Sequence, residues 1–232
     1  RRAATREHRA DADGAAKDEQ AAPCRPVVAP CLWERQGLLQ QLDVDGPAER
    51  LRADYGRVSR QARRHLHKDG VALDGLWRGW RHLPSAVKDG GDRDARWQMM
   101  MCSTEGAMSF IKGLGAVHAM SHAAGRIARL NLHHGTLNAV FLPAVLRFNA
   151  PNCEEKYERI RQAIGLAPGA DIAEAITAMN ADIGLPSGLQ EMGVEKDDIP
   201  EMIAYAMKDL SALTNPRNAS EDDFEAMIHE SF

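Results

Sequence analysis

The spacing of apolar residues along the chain changes near Gly70. Residues 1–46 mix Arg, Asp, Ala and Gln without a helical or strand period, which predicts a poorly ordered segment. Residues 47–70 carry an apolar repeat of three and four after Pro47, a good first helical residue, and are predicted as a helix or a linker. From Val71 to Phe232 the helical spacing and its stop signals are clearer, so we expect the folded domain over 71–232.

Within 71–232 the pattern predicts a series of helices. Two of them span about Asp92 to Ile111 and Pro151 to Gly165. A third follows Asp171 and a fourth begins near Pro200. Ser220 with Asp223 makes an acidic variant of a capping box for the last helix. The helix after Asp92 is predicted to bury a stripe containing Trp97, Met100, Met101 and Met108. No segment alternates like a strand and no βαβ spacing occurs, so we predict an all-α helical bundle.

The composition excludes some classes of partner but says little about the chemistry of the chain. The 232 residues include 29 Lys and Arg against 33 Asp and Glu, and a net charge of -4 does not suit a polyanion binder. No apolar run approaches the ~20 residues of a membrane span, and none follows the N-terminal arginines as in a signal peptide, so a cytoplasmic protein without nucleic-acid or membrane partners is expected. The four cysteines form no CxxC pair, which predicts thiols and not disulfides or a zinc-thiolate site.

Four of the nine histidines fall between His118 and His134. His118 and His122 are four residues apart, which places both imidazoles on one face of a helix, roughly 6 Å apart. The surrounding residues are small and apolar, so this face is expected to be buried, and a buried imidazole needs a partner. His134 precedes Gly135, where a sharp turn could bring a further ligand to the same pocket.

Spacing alone does not establish a metal site, because histidine pairs at helical spacing are more often hydrogen-bonded or exposed pairs than ligands. The pair also lacks the glutamate of an HExxH zinc protease. His133 and His134 are adjacent and cannot readily face one centre, so we interpret His133 as structural or outward facing.

These histidines lie in a longer set of motifs. Gly-Leu-Gly-Ala-Val-His118-Ala-Met-Ser-His122 is followed by His134-Gly, Asn-Ala-Val, Leu-Pro and Arg147-Phe-Asn, and later by Gly-Leu-Pro, Met-Gly-Val and Thr-Asn-Pro-Arg217. In this order, over about 160 residues, the motifs resemble the C-terminal helical half of the iron-containing alcohol dehydrogenases. The gap between His118 and the histidine of the His-Gly pair is two residues longer than in familiar members, so choosing His134 over His133 depends on Gly135.

The resemblance implies roles for particular residues. His118 and His134 match the two histidines that bind Fe²⁺, or Zn²⁺ in some relatives. His122 matches the non-ligating histidine beside the substrate and the nicotinamide, and a proton relay is its expected catalytic role. Phe110 matches an aromatic of the substrate pocket, although a core Phe is the simpler interpretation, and Ser211 is expected to line the same pocket. The implied reaction is NAD- or NADP-linked oxidation of a small alcohol or reduction of an aldehyde.

The chain also departs from the family pattern. The family's Asp and His, spaced D-x-x-x-H upstream, have no counterpart: Asp54 has no histidine four residues later. The Gly-Gly-Gly-Ser phosphate loop is missing too, and with it the pyrophosphate site. We therefore expect a truncated, fused or frame-shifted reading of a dehydrogenase gene, inactive by itself.

The alternative hypothesis is a non-catalytic helical domain with a vestigial two-histidine metal site, acting as a binding or assembly module. The sequence leaves open the substrate, NAD versus NADP, iron versus zinc, and whether the chain forms a homo-oligomer.

Overall fold

The computed structural model describes residues 55–109 and 113–232, with side chains from residue 69 onward. The predicted disordered segment 1–46 lies outside these residues, as does Phe110. The described chain contains the following helices in order: α1 Tyr55–Lys88, α2 Arg93–Ser109, α3 Gly115–Gly125, α4 His134–Ile164, α5 Ile172–Asp182, the 3-10 helix η1 Lys196–Asp198, α6 Ile199–Ala206, the 3-10 helix η2 Leu210–Thr214, and α7 Glu221–Glu230. No strand occurs in these ranges, so the all-α prediction is confirmed.

Several predicted helix ends coincide with capping residues in the structure. Asp171 accepts hydrogen bonds from the backbone N–H groups of Ala173 and Glu174 at the start of α5. Ser220 and Asp223 form the predicted reciprocal capping box of α7. Gly165 ends α4 in the left-handed conformation, with φ of 76°, which a residue without Cβ adopts at little cost. These three signals are local, and the predictions based on them are confirmed.

Helix α1 differs from the predicted change of structure at Gly70. It continues from Tyr55 through Gly70 to Lys88, and Pro84 lies inside it. The helix therefore crosses the predicted domain boundary at Val71 without a break.

The predicted start of α4 at Pro151 is wrong. The helix begins at His134 and contains both Pro143 and Pro151. A proline cannot donate to the carbonyl four residues earlier, which for Pro143 is the carbonyl of Ala139. The Asn180 side chain of α5 donates to this carbonyl instead, at 3.0 Å. The replacement donor explains how the helix accommodates Pro143.

The predicted buried stripe of α2 is also wrong. Its buried face carries Ala95, Met99, Cys102 and Gly106, while the side chains of Trp97, Met100 and Met108 are more than half exposed. Both sets have helical spacing, and packing against α1 selects the first. Sequence periodicity alone cannot choose between two such faces.

Helix α4 is the central element of the fold. It contacts α1, α3, α5 and α7. Its first half is almost completely buried, including Leu137, Phe141, Leu142 and Leu146. Helix α3 packs against α4, α6 and η2, so the histidine helix is held from three sides. Among the described helices, none has the length and apolar character needed to cross a membrane.

Candidate metal centre

Three histidines meet where α3 lies against the start of α4. His118 and His122 are one turn apart on α3, and His134 is the first residue of α4. Each offers one ring nitrogen, and these three atoms lie within 4.8 Å of one another. His118 is buried, His134 is half-buried and His122 is exposed. The structure thus brings together the three histidines singled out in the sequence.

The distance between two of the rings suits coordination of a single ion. The Nε2 atoms of His118 and His134 are 3.3 Å apart. Two ligands bound tetrahedrally at about 2.0–2.1 Å have their nitrogens roughly 3.4 Å apart. Imidazole is also a good ligand for iron and zinc. The residues present therefore fit a bound transition metal.

The electrostatics of the two rings favour the ligating form. Burial lowers the pKa of His118 to about 3, with further lowering by His134 and His122. Burial also lowers the pKa of His134 to about 4, helped by His122 and His133. Both rings are consequently neutral near pH 7, as metal coordination requires.

His122 has a carboxylate partner that the sequence analysis missed. Its Nδ1 lies 2.8 Å from Oδ2 of Asp209, the residue before η2. Burial acts to raise the pKa of Asp209, but hydrogen bonds from the Ser211 backbone and the His122 ring outweigh it and lower that pKa. Asp209 is 87 positions from His122, and no local pattern connects them.

His133 and Gly135 have different roles from His134. His133 is the N-cap of α4, where its Nδ1 accepts the backbone N–H of Thr136 at 3.3 Å, so its role in the structure is capping. Gly135 lies buried inside the helix and not at a turn. The left-handed residue of the preceding connection is Asn131, with φ of 47°. The predicted sharp turn at Gly135 is therefore wrong.

The Thr-Asn-Pro-Arg motif holds the start of the histidine helix. The hydroxyl of Thr214 accepts hydrogen bonds from the backbone N–H groups of Leu114 and Gly115, at 3.1 and 3.2 Å. The Oδ1 atom of Asn215 accepts from the N–H of Ala116 at 3.1 Å. The first N–H groups of a helix have no partner within it, and these two side chains supply one from almost a hundred residues away.

Asn215 and Arg217 also tie this motif to the Arg-Phe-Asn motif of α4. The Asn215 amide donates to Oδ1 of Asn149 at 2.8 Å and to the carbonyl of Arg217 at 2.7 Å. The guanidinium of Arg217 lies 4.0 Å from the centre of the Phe148 ring and donates to the Phe148 carbonyl. The two motifs are therefore partners in one buried network that positions α3 against α4.

A shallow cleft of about 340 Å³ opens beside His122. It is lined by His122, Ala123, Arg126, Tyr205, Lys208 and Asp209. The guanidinium of Arg126 lies over the Tyr205 ring at 3.9 Å. Ser211 is half-buried in η2, two residues after Asp209, to which its backbone N–H donates. It does not line this cleft.

The sequence and the fold match those of a known family. The sequence model of the Fe-containing alcohol dehydrogenase family, C-terminal, matches residues 67–232. The chain belongs to this family, as the motifs predicted.

Individual relatives are consistent with the family assignment. A 4-hydroxybutyrate dehydrogenase of Cupriavidus necator is 51% identical over 170 residues, covering 70% of this chain and 44% of the relative. Lactaldehyde reductase of Escherichia coli (strain K12) is 37% identical over 148 residues, covering 60% of this chain and 38% of the relative. A solved 1,3-propanediol oxidoreductase superimposes with a TM-score of 0.74 and 29% identity, over 88% of this chain and 51% of that one. The chain spans about half the length of these proteins or less.

Proposed function

We propose that this chain is the metal-binding part of an iron-dependent, NAD- or NADP-linked alcohol dehydrogenase, acting on a small alcohol or aldehyde. The observation that carries the proposal is the pair of neutral imidazoles whose Nε2 atoms are 3.3 Å apart, in a chain of this family. His118 and His134 would hold Fe²⁺, or Zn²⁺, which would supply Lewis-acid polarisation of the substrate oxygen.

The protein residues then have separate tasks. His118 is fixed by burial in α3, and His134 is fixed at the start of α4, so the two ligands approach from different helices. His122 is exposed beside them and accepts the hydroxyl proton during alcohol oxidation, which it passes to solvent. The sequence has no Gly-Gly-Gly-Ser loop and the described residues have no strand, so we assign no residue here to the nicotinamide cofactor.

The cleft beside His122 favours a substrate with a carboxylate. Its lining carries two cationic side chains, Arg126 and Lys208, against the one carboxylate of Asp209. The Cupriavidus necator relative is a 4-hydroxybutyrate dehydrogenase. We therefore favour an ω-hydroxy acid similar in size to 4-hydroxybutyrate over a neutral diol. The matched probes are 4-hydroxybutyrate and 1,4-butanediol, titrated into labelled protein by NMR. Shifts at Lys208 and Arg126 with the acid alone support this choice, and equal shifts with both contradict it.

Isothermal titration with Zn²⁺ and with Fe²⁺ under anaerobic conditions, near pH 7.5, tests the metal site. His118→Ala should abolish binding, because His122 is proposed not to ligate and His134 alone is too weak a ligand set. His133→Ala is the matched control and should leave the affinity within about twofold, since His133 is a cap and lies outside the cluster. Binding that survives His118→Ala would show that other ligands form the site and would contradict the proposal.

A non-catalytic binding module predicts a different pattern of results. If the dehydrogenase proposal is right, the chain should gain alcohol-dependent NAD(P) reduction when it is combined with a polypeptide that supplies the family's Asp and His ligands and phosphate loop. The variant His122→Ala should reduce that activity. A complex that assembles and binds metal but shows no such activity would favour the module.

A further inference from the structure

Asp209 holds a fixed position between two elements of the site. Its Oδ1 accepts the backbone N–H of Ser211 at 2.8 Å, which caps η2. Its Oδ2 lies 2.8 Å from Nδ1 of His122. The two oxygens therefore have different partners, and tilting the carboxylate out of this orientation breaks at least one of the two hydrogen bonds. Because η2 packs on α3, Asp209 connects the histidine to the segment that holds the start of its own helix.

The chemistry of this contact determines where the ring proton lies. An ionised carboxylate only accepts hydrogen bonds. The 2.8 Å contact thus requires the proton of a neutral His122 ring to lie on Nδ1, which leaves the lone pair on Nε2. Without such a partner, an exposed imidazole is free to exchange between tautomers and to rotate. The His122 side chain is 47% exposed, so burial does little to fix it.

We propose that Asp209 is the positioning residue of His122: it fixes the Nδ1–H tautomer and the ring orientation, so that Nε2 is the atom that accepts the substrate proton. This inference rests on the proposed function for its catalytic meaning, but the tautomer and the orientation are properties of this chain alone. The ring of His122 lies at 25° to that of His134, with centroids 5.3 Å apart, and its centroid is 4.7 Å from that of His118. The ring is therefore held beside the candidate metal ligands.

A competing arrangement makes His122 a third metal ligand, with Asp209 as the carboxylate that supports it. The two arrangements differ in their effect on metal affinity. Loss of a carboxylate partner of a ligating histidine typically reduces metal affinity 10–100-fold. Loss of the partner of a non-ligating histidine should leave the affinity unchanged.

The experiment uses the full chain with histidine side chains labelled with ¹⁵N. Long-range proton–nitrogen correlation spectra at pH 9, well above the ordinary pKa of histidine, report the tautomer of each ring. Asp209→Asn is the test variant, because the amide oxygen can still accept the Ser211 N–H while the charge is removed. Asp197→Ala is the control, since Asp197 is exposed on η1 and lies away from the cleft.

We expect the wild-type protein to show His122 mainly as the Nδ1–H tautomer. In Asp209→Asn the fraction of that tautomer should fall at least twofold, with Zn²⁺ affinity within twofold of the wild-type value and an unchanged circular dichroism spectrum. The control should match the wild type in all three measurements. If Asp209→Asn does not fold, the wild-type tautomer alone still tests the inference.

Three results would overturn the inference. They are an Nε2–H tautomer in the wild type, an unchanged tautomer ratio in Asp209→Asn, or a tenfold loss of Zn²⁺ affinity in that variant, which would make His122 a ligand. Failure of the wild type to bind metal would instead count against the proposed function, and the tautomer result would stand independently of it.

Discussion

Replacing Asn215 by alanine should destabilise the fold through the start of the histidine helix. Asn215 is only 3% exposed, and its side chain accepts from the Ala116 N–H and exchanges two hydrogen bonds with Asn149. It also donates to the Arg217 carbonyl. Alanine removes all four bonds at a buried position.

The expected magnitude follows from the buried groups that lose this partner. Leaving a buried polar group without its hydrogen bond costs about 1–3 kcal/mol, and the effects within one network do not add fully. We expect a loss of about 3–4 kcal/mol from the free energy of unfolding. In a chain of this size that corresponds to a fall in Tm of about 6–16 °C.

Thermal unfolding followed by circular dichroism at 222 nm measures this change. Asn218→Ala is the matched control, because Asn218 is exposed three residues further along, and its Tm should change by less than about 2 °C. A second variant, Asn215→Asp, keeps an acceptor for Ala116 but loses both donors, and should also be destabilised. An Asn215→Ala variant as stable as the Asn218→Ala control would refute the view that this amide holds α3.

Three further predictions concern stability. Because the pKa values of His118 and His134 are lowered in the folded protein, the unfolded chain binds more protons than the folded chain below about pH 6.5. The free energy of unfolding should therefore fall as the pH is lowered, by at most about 4 kcal/mol between pH 7 and 5, as measured by chemical denaturation. The fall should be much smaller in a His118→Asn, His134→Asn double variant. Ser220→Ala removes the α7 cap and should cost about 1 kcal/mol in urea unfolding, and no change would contradict the capping role. Gly165→Ala places a side chain at φ of 76° with no atom nearby to contact it, so the backbone strain alone should lower the stability by about 1 kcal/mol; a stabilised variant would contradict this.

Local signals predicted much of the fold. The Asp171 and Ser220 caps and the αL glycine at 165 depend on residues within one turn of a helix end, so the sequence contains all the information they need. The continuation of α4 through Pro143 could not be predicted in this way, because the compensating donor, Asn180, comes from another helix. The exposed face of α2 depends on α1 for the same reason.

The candidate site shows the same division. His118 and His122 could be placed together by their spacing, and the family motifs added His134. Asp209 and the capping role of Thr214 and Asn215 could not be found from spacing, because the partners are separated by 87 to 100 positions. The Thr-Asn-Pro-Arg motif marked Thr214 and Asn215, and the structure supplies the physical reason: they hold the start of the histidine helix. Asp209, which contacts His122, lies in none of these motifs.

The most direct test of the metal centre is a crystal structure of this chain soaked in Zn²⁺, with anomalous scattering data at the zinc edge. We expect one anomalous peak about 2.0–2.1 Å from Nε2 of both His118 and His134, with no peak at His133. A peak at another position, or an ion bound by only one of the two rings, would contradict the claim that α3 and α4 together form a metal site.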